Sequence, residues 1–117
     1  MTGEEARQYA RVVTWQSPGF EIVGGQTVTS ATTLTSDSGR LIQLDASGAP
    51  FTLTFPPLPY VGMTFILSEI AGSVNLVTVD GNGKSINGGP SLLMNGAYRQ
   101  RWVRYNGSQW IVVGGLL

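Results

Sequence analysis

A chain of 117 residues fits one domain, or one domain with a short arm, and at that length a core can form without disulfides or a structural metal. Seven basic and seven acidic side chains cancel, so no net field draws nucleic acid or an acidic membrane surface. The chain has no Cys and no His, which removes thiolate chemistry together with the commonest general base and transition-metal ligand near neutral pH.

Residues 1–14 lack the apolar run of a signal peptide, and the apolar stretches Met63–Leu67 and Trp110–Val113 are far too short to span a bilayer. Synthesis in a cytoplasm without classical export is therefore expected. Thr2-Gly3-Glu4-Glu5 reads as a capping box, the start of a helix that the β-branched Val12-Val13-Thr14 ends after about three turns. Residues 1–30 are read as an arm, part helical or extended, with a turn at Ser17-Pro18-Gly19 and a flexible point at Gly24-Gly25. Its apolar residues Trp15, Phe20 and Ile22 are expected to dock on a partner protein.

Residues 31–117 read as strands throughout. Thr33–Ser36 is short and β-branched, and Arg40–Leu44 follows after the Asp37-Ser38-Gly39 turn. Phe51, Leu53 and Phe55 alternate with Thr52 and Thr54, the period of a half-buried strand. Pro56-Pro57-Leu58-Pro59 lacks ladder N–H groups and must be a rigid surface connection. Gly62–Ile70 is apolar on both alternation sets, which predicts burial on two sides. Asn82-Gly83, Asn87-Gly88, Asn95-Gly96 and Asn106-Gly107 then punctuate Val74–Val79, Ser91–Met94, Ala97–Tyr105 and Gln109–Val113. Asn-Gly tolerates the positive φ angles of tight hairpins, so the expected fold is all-β, a small antiparallel β-sandwich or barrel carrying an N-terminal arm.

The order of these pieces carries a resemblance. Asp37-Ser38-Gly39-Arg40-Leu41-Ile42-Gln43-Leu44-Asp45 precedes Phe51-Thr52-Leu53-Thr54-Phe55-Pro56, and Tyr105-Asn106-Gly107-Ser108-Gln109-Trp110 closes the region. Over residues 32–114 this is similar to a β-module of tailed-phage capsid decoration (cement) proteins and tail fibres. The resemblance implies a virion structural protein without catalysis or cofactor, forming a homotrimer and contacting the major capsid protein on the capsid surface of the bacteriophage. A chain this short, without a long preceding shaft, leans toward decoration. The alternative is a tail-fibre or baseplate module that binds host-surface glycan through aromatics near Tyr98–Tyr105.

Candidate chemistry is sparse. Lys84 is the sole Lys and lies in the Gly83-Lys84-Ser85 turn, where a solvated tip is expected and not a base for a hydroxyl nucleophile. Asp37, Asp45 and Asp80 stand beside Ser or Gly in turns, positions that suit backbone bonding better than a paired-carboxylate glycosidase site. Asp80-Gly81-Asn82-Gly83 lacks the third ligand and closing Glu of a calcium loop, so no metal is expected. Arg99, Arg101 and Arg104, with Trp102 and Tyr105, are the candidate subunit or partner interface. Alternation places Arg99 and Arg101 on one face and Gln100, Trp102 and Arg104 on the other. Nucleic acid is the weakest partner class, because the chain is neutral.

Overall fold

The computed structural model describes residues 25–70, 74–96 and 98–115. These are all-β. The strands are β1 (Gly25–Val28), β2 (Thr32–Thr33), β3 (Leu41–Leu44), β4 (Phe51–Thr54), β5 (Thr64–Glu69), β6 (Val77–Asp80), β7 (Ser91–Met94), β8 (Gln100–Tyr105) and β9 (Trp110–Gly114). They form a five-stranded sheet in the order β1-β3-β5-β8-β9 and a four-stranded sheet in the order β2-β4-β6-β7.

Both sheets are mixed, which corrects the expectation of antiparallel pairing throughout. The chain passes from one sheet to the other at β1–β2, at β3–β4 and again at β5–β6, so each pass lays its strands parallel to those of the pass before. Antiparallel pairing enters only afterwards, at β5–β8, β6–β7 and β8–β9. Parallel neighbours need a long crossover, and here the crossover is itself a strand of the opposite sheet. Alternation along each strand is the same in either direction of pairing, so the sequence pattern could not distinguish them.

Residues 25–30, expected in the arm, belong to this body: β1 pairs along its length with β3, and Val28 is buried. The helix expected near the start and the docking residues Trp15, Phe20 and Ile22 lie outside the described residues.

The two sheets share one core. Ile42, Leu44, Phe65, Leu67 and Val103 of the five-stranded sheet join Leu53, Val77, Val79 and Met94 of the four-stranded sheet in a single buried cluster. At its centre Trp110 lies 4.3 Å from Phe55, 5.3 Å from Tyr105 and 5.9 Å from Phe65, ring centre to ring centre. The alternation expected for Phe51–Phe55 holds, with Leu53 and Phe55 buried and Thr52 exposed.

Two of the Asn-Gly pairs are tight turns with positive φ at both residues, Asn82-Gly83 and Asn87-Gly88, inside the connection of β6 to β7. Asn106-Gly107 joins β8 to β9 as a hairpin, with the Asn106 Oδ1 accepting from the backbone N–H groups of Ser108 and Gln109. Asn95-Gly96 is different: it lies in the passage from β7 of one sheet to β8 of the other. The outer edge of β9 is covered. Asn87 Oδ1 accepts from Val112 N–H at 3.0 Å, and Asn87 N–H donates to the Trp110 carbonyl at 2.9 Å.

Candidate functional site

The outer faces of the two sheets differ in chemistry. Across the four-stranded sheet, Thr33, Thr54, Asp80 and Ser91 fall in one row, while Thr52, Thr78 and Leu93 fall in another. Across the five-stranded sheet, the row Thr27, Gln43, Ser68 and Gln100 is polar, but the next is Leu41, Ile66 and Trp102. Ile66 points away from the core cluster and yet is only 8% exposed, because its outer-face neighbours cover it. The two-sided burial expected for Gly62–Ile70 thus arises with the core on one side and an apolar surface row on the other.

Ile66 and Trp102 of that row form the floor and wall of a shallow groove of about 290 Å³, bounded also by Arg40, Gly62, Arg104 and Val113. Trp102 is 40% exposed and Val113 56%. Gly62 has a φ of +93°, and a side chain there would stand 3.7 Å from the Arg104 guanidinium, so Arg104 lies over this bare backbone. Thr64, opposite Arg104 in the ladder, donates its hydroxyl to the Gly62 carbonyl at 2.9 Å. Among the described residues no carboxylate pairs with Arg40 or Arg104.

The interface residues expected from the sequence are therefore divided. Trp102 and Arg104 meet on the outer face. Tyr105 does not join them: it is 6% exposed and packs on Trp110, so its placement in an interface is corrected to the core. Its parity along β8, shared with Val103, turns it inward. Arg99 and Arg101 lie at the other end of β8, beside Glu69.

Glu69 occupies the core-facing column that holds Val28 and Leu44, and it is fully buried. One carboxylate oxygen accepts from Gly96 N–H at 3.2 Å; the other has no hydrogen-bond partner among the described residues. The same residue's backbone N–H donates to the Arg99 carbonyl and its carbonyl accepts from Tyr98 N–H, both at 2.8 Å, so the β7–β8 passage is tied to it. Burial pushes the Glu69 carboxyl above its ordinary range, opposed by the Gly96 N–H and by the positive charges of Arg99 and Arg101. Arg99 folds over Gly96, where an added Cβ would stand 2.7 Å from its Nε.

A second surface feature is the β4–β5 connection. Leu58 is 87% exposed, Val61 68% and Tyr60 55%. The start of the loop is braced by the β6–β7 connection, with Asn82 Nδ2 donating to the Phe55 carbonyl at 3.0 Å and Lys84 Nζ donating to the Pro57 carbonyl at 3.3 Å. Val61 also lies against the β8–β9 hairpin, 3.2 Å from where a Gly107 side chain would begin. The proline run was visible in the sequence as a rigid connection, but the outward aim of its apolar residues was not. Arg40, Ile66 and Val113 were missed for another reason. Only the register Leu41–Ile66–Trp102 brings these distant segments together.

Two of the three turn carboxylates, Asp80 and Asp45, bond the backbone as expected. Asp80 Oδ1 accepts from Asn82 N–H at 2.9 Å, and Asp45 Oδ1 accepts from Ser47 N–H at 3.0 Å. The Ser47 side chain and backbone hold the Asp45 carboxyl below its ordinary value. Among the described residues no group of three His, Cys, Asp or Glu side chains could hold a metal ion, and no helix is long and apolar enough to cross a membrane. Comparison with protein-family models and with curated proteins finds no match to the chain.

Proposed function

We propose that the chain is a non-enzymatic virion structural protein, a decoration (cement) module that binds and stabilises the head lattice of a tailed phage as a homotrimer. It would be made in the host cytoplasm and carried on the capsid surface, with the major capsid protein as its partner. The body is read as a sandwich and not a barrel, because the strands divide between two sheets that share one core. The observation that carries the functional reading is the braced β4–β5 loop. Three apolar side chains, Leu58, Tyr60 and Val61, stand exposed on a proline-stiffened segment, where docking costs little ordering entropy. Weak single contacts are enough if three linked copies engage together, and binding only to the assembled shell stabilises that shell by linkage.

The test is co-sedimentation of the full chain with shells of the coat protein from the same phage. Wild type is expected to pellet with shells, and Leu58→Ser combined with Val61→Ser to stay in the supernatant while keeping its unfolding midpoint. A wild-type chain that never pellets with shells would sink the reading.

A second reading, a tail-fibre or baseplate module that binds host-surface glycan, is favoured by a different feature. Trp102 presents a half-open indole in a groove, the arrangement on which a sugar ring stacks.

A further inference from the structure

The groove on the five-stranded sheet has a chemistry more specific than an exposed aromatic. Resting on the glycan reading and not on capsid docking, we infer that it binds an acidic saccharide. The sugar's carboxylate lies between Arg40 and Arg104, and its apolar ring face lies on Trp102.

Three observations converge on this ligand class. First, Arg40 and Arg104 both border the groove, and no carboxylate among the described residues pairs with either. A guanidinium offers a planar fork of donors that matches a carboxylate, and two of them make a strong anion preference where no carboxylate among the described residues pairs with either. Second, apolar side chains make much of the groove's lining. Ile66 forms the floor at 8% exposure, Val113 the lip, and Trp102 a wall at 40% exposure. A pyranose ring has an apolar C–H face and a polar rim, so it can meet an indole and guanidinium groups at once. Third, Thr64, opposite Arg104 in the ladder and lining the groove, is suited to a sugar hydroxyl. Thr64 Oγ1 spends its proton on the Gly62 carbonyl and keeps its lone pairs for an incoming donor.

The volume of about 290 Å³ is at the small end for a ligand pocket, room for one sugar ring and part of a second. An added β-strand is a poorer occupant. The neighbouring edge of β9 is already closed by Asn87, so a peptide there would gain few main-chain bonds. A single-stranded nucleic acid could also stack on Trp102, but it would meet a chain of zero net charge.

The experiment is titration calorimetry on the full chain with trigalacturonate against maltotriose, and with sialyllactose against lactose. At least one acidic sugar is expected to bind about tenfold or more tightly than its neutral counterpart. That binding should weaken as salt is added and fall about tenfold or more in Arg104→Gln, in Arg40→Gln and in Trp102→Ala. All three residues line the groove, and an unchanged thermal midpoint in any one variant keeps the comparison valid. Equal binding of acidic and neutral sugars would overturn the inference while leaving the glycan reading in place. Silence from every sugar would overturn both. Acidic-sugar binding untouched by the three substitutions would place it elsewhere on the chain and overturn the assignment to this groove. Co-sedimentation with coat-protein shells is scored separately, so its outcome decides neither.

Discussion

Glu69 sits where an alternating strand should place an apolar side chain. In the ladder its column holds Val28 and Leu44, and one of its oxygens is buried without a hydrogen-bond partner among the described residues. The consequence for stability has a definite sign. The folded carboxyl titrates above the ordinary 4.5, so between those two values the folded chain holds a proton that the unfolded chain has released. Stability is therefore fullest below 4.5 and is lost as pH rises through the raised value. Asp45 acts oppositely: its folded value lies below 3.8, and the stability it adds is lost as pH falls through that lowered value. The urea midpoint is expected to rise as pH falls from about 7 toward 4.5 and to turn down in stronger acid. Glu69→Gln should flatten the first limb. A wild-type midpoint that stayed level from neutral pH to 4.5 would contradict the assignment. The tryptophans make a second contrast at this scale. Trp110 is fully buried among three aromatic rings, so Trp110→Ala should cost about 3–5 kcal/mol in urea unfolding. Trp102→Ala, on the outer face, should cost less than about 1 kcal/mol.

Turns and edges decide the behaviour of individual elements. In the β6–β7 connection, an added side chain at Gly81 would collide with the Lys84 carbonyl, so Gly81→Ala forces the turn apart. A loss of about 1–3 kcal/mol is expected, against little change for Gly48→Ala, whose surroundings are open. Asn87 serves its turn in two ways. It holds a φ of +49°, and its side chain satisfies Val112 N–H on the outer edge of β9. Asn87→Ala is expected to cost about 1–2 kcal/mol and, by uncovering that edge, to raise the scattered light of concentrated samples. A variant that lost stability but stayed monodisperse would confine Asn87 to the turn. At this scale much was legible in the sequence: Ser91–Met94 matches β7, and the strands from β2 onward lie within a few residues of their expected ends, while β1 was read as part of the arm. The Asn106-Gly107 hairpin was legible too, since local turn chemistry and strand alternation are properties of neighbouring residues. Asn95-Gly96 was misread because the same dipeptide that closes a hairpin also permits a change of sheet.

For the whole molecule, the proposed homotrimer gives the most direct measurement. Light scattering over a concentration series should return three times the chain mass of 12.5 kDa, and the same mass in the Leu58→Ser, Val61→Ser double variant. A trimer that fell apart in that variant would make the β4–β5 loop a contact between copies and not a contact with coat protein. The order in which the body is built also has consequences. Three successive passes between the sheets place parallel partners far apart in sequence. Such non-local pairing makes folding slower than hairpin-by-hairpin closure would, because loop-closure entropy is spent before the pairing is won. Stopped-flow refolding is expected on the millisecond-to-second scale, and a microsecond phase carrying the full amplitude would argue against this order of assembly.

By itself the sequence determined that the body is all-β and that chemistry relying on His or Cys is absent. These follow from composition and from the period of two along each strand, which local residues carry. Only the tertiary structure decided that both sheets are mixed and that Tyr105 turns inward. It likewise set Arg99 and Arg101 beside Glu69 and brought Arg40 to the groove where Arg104 and Trp102 stand. The reason is register. Which residue lies opposite which across a parallel ladder depends on pairings between distant segments, and alternation within one strand carries no record of them.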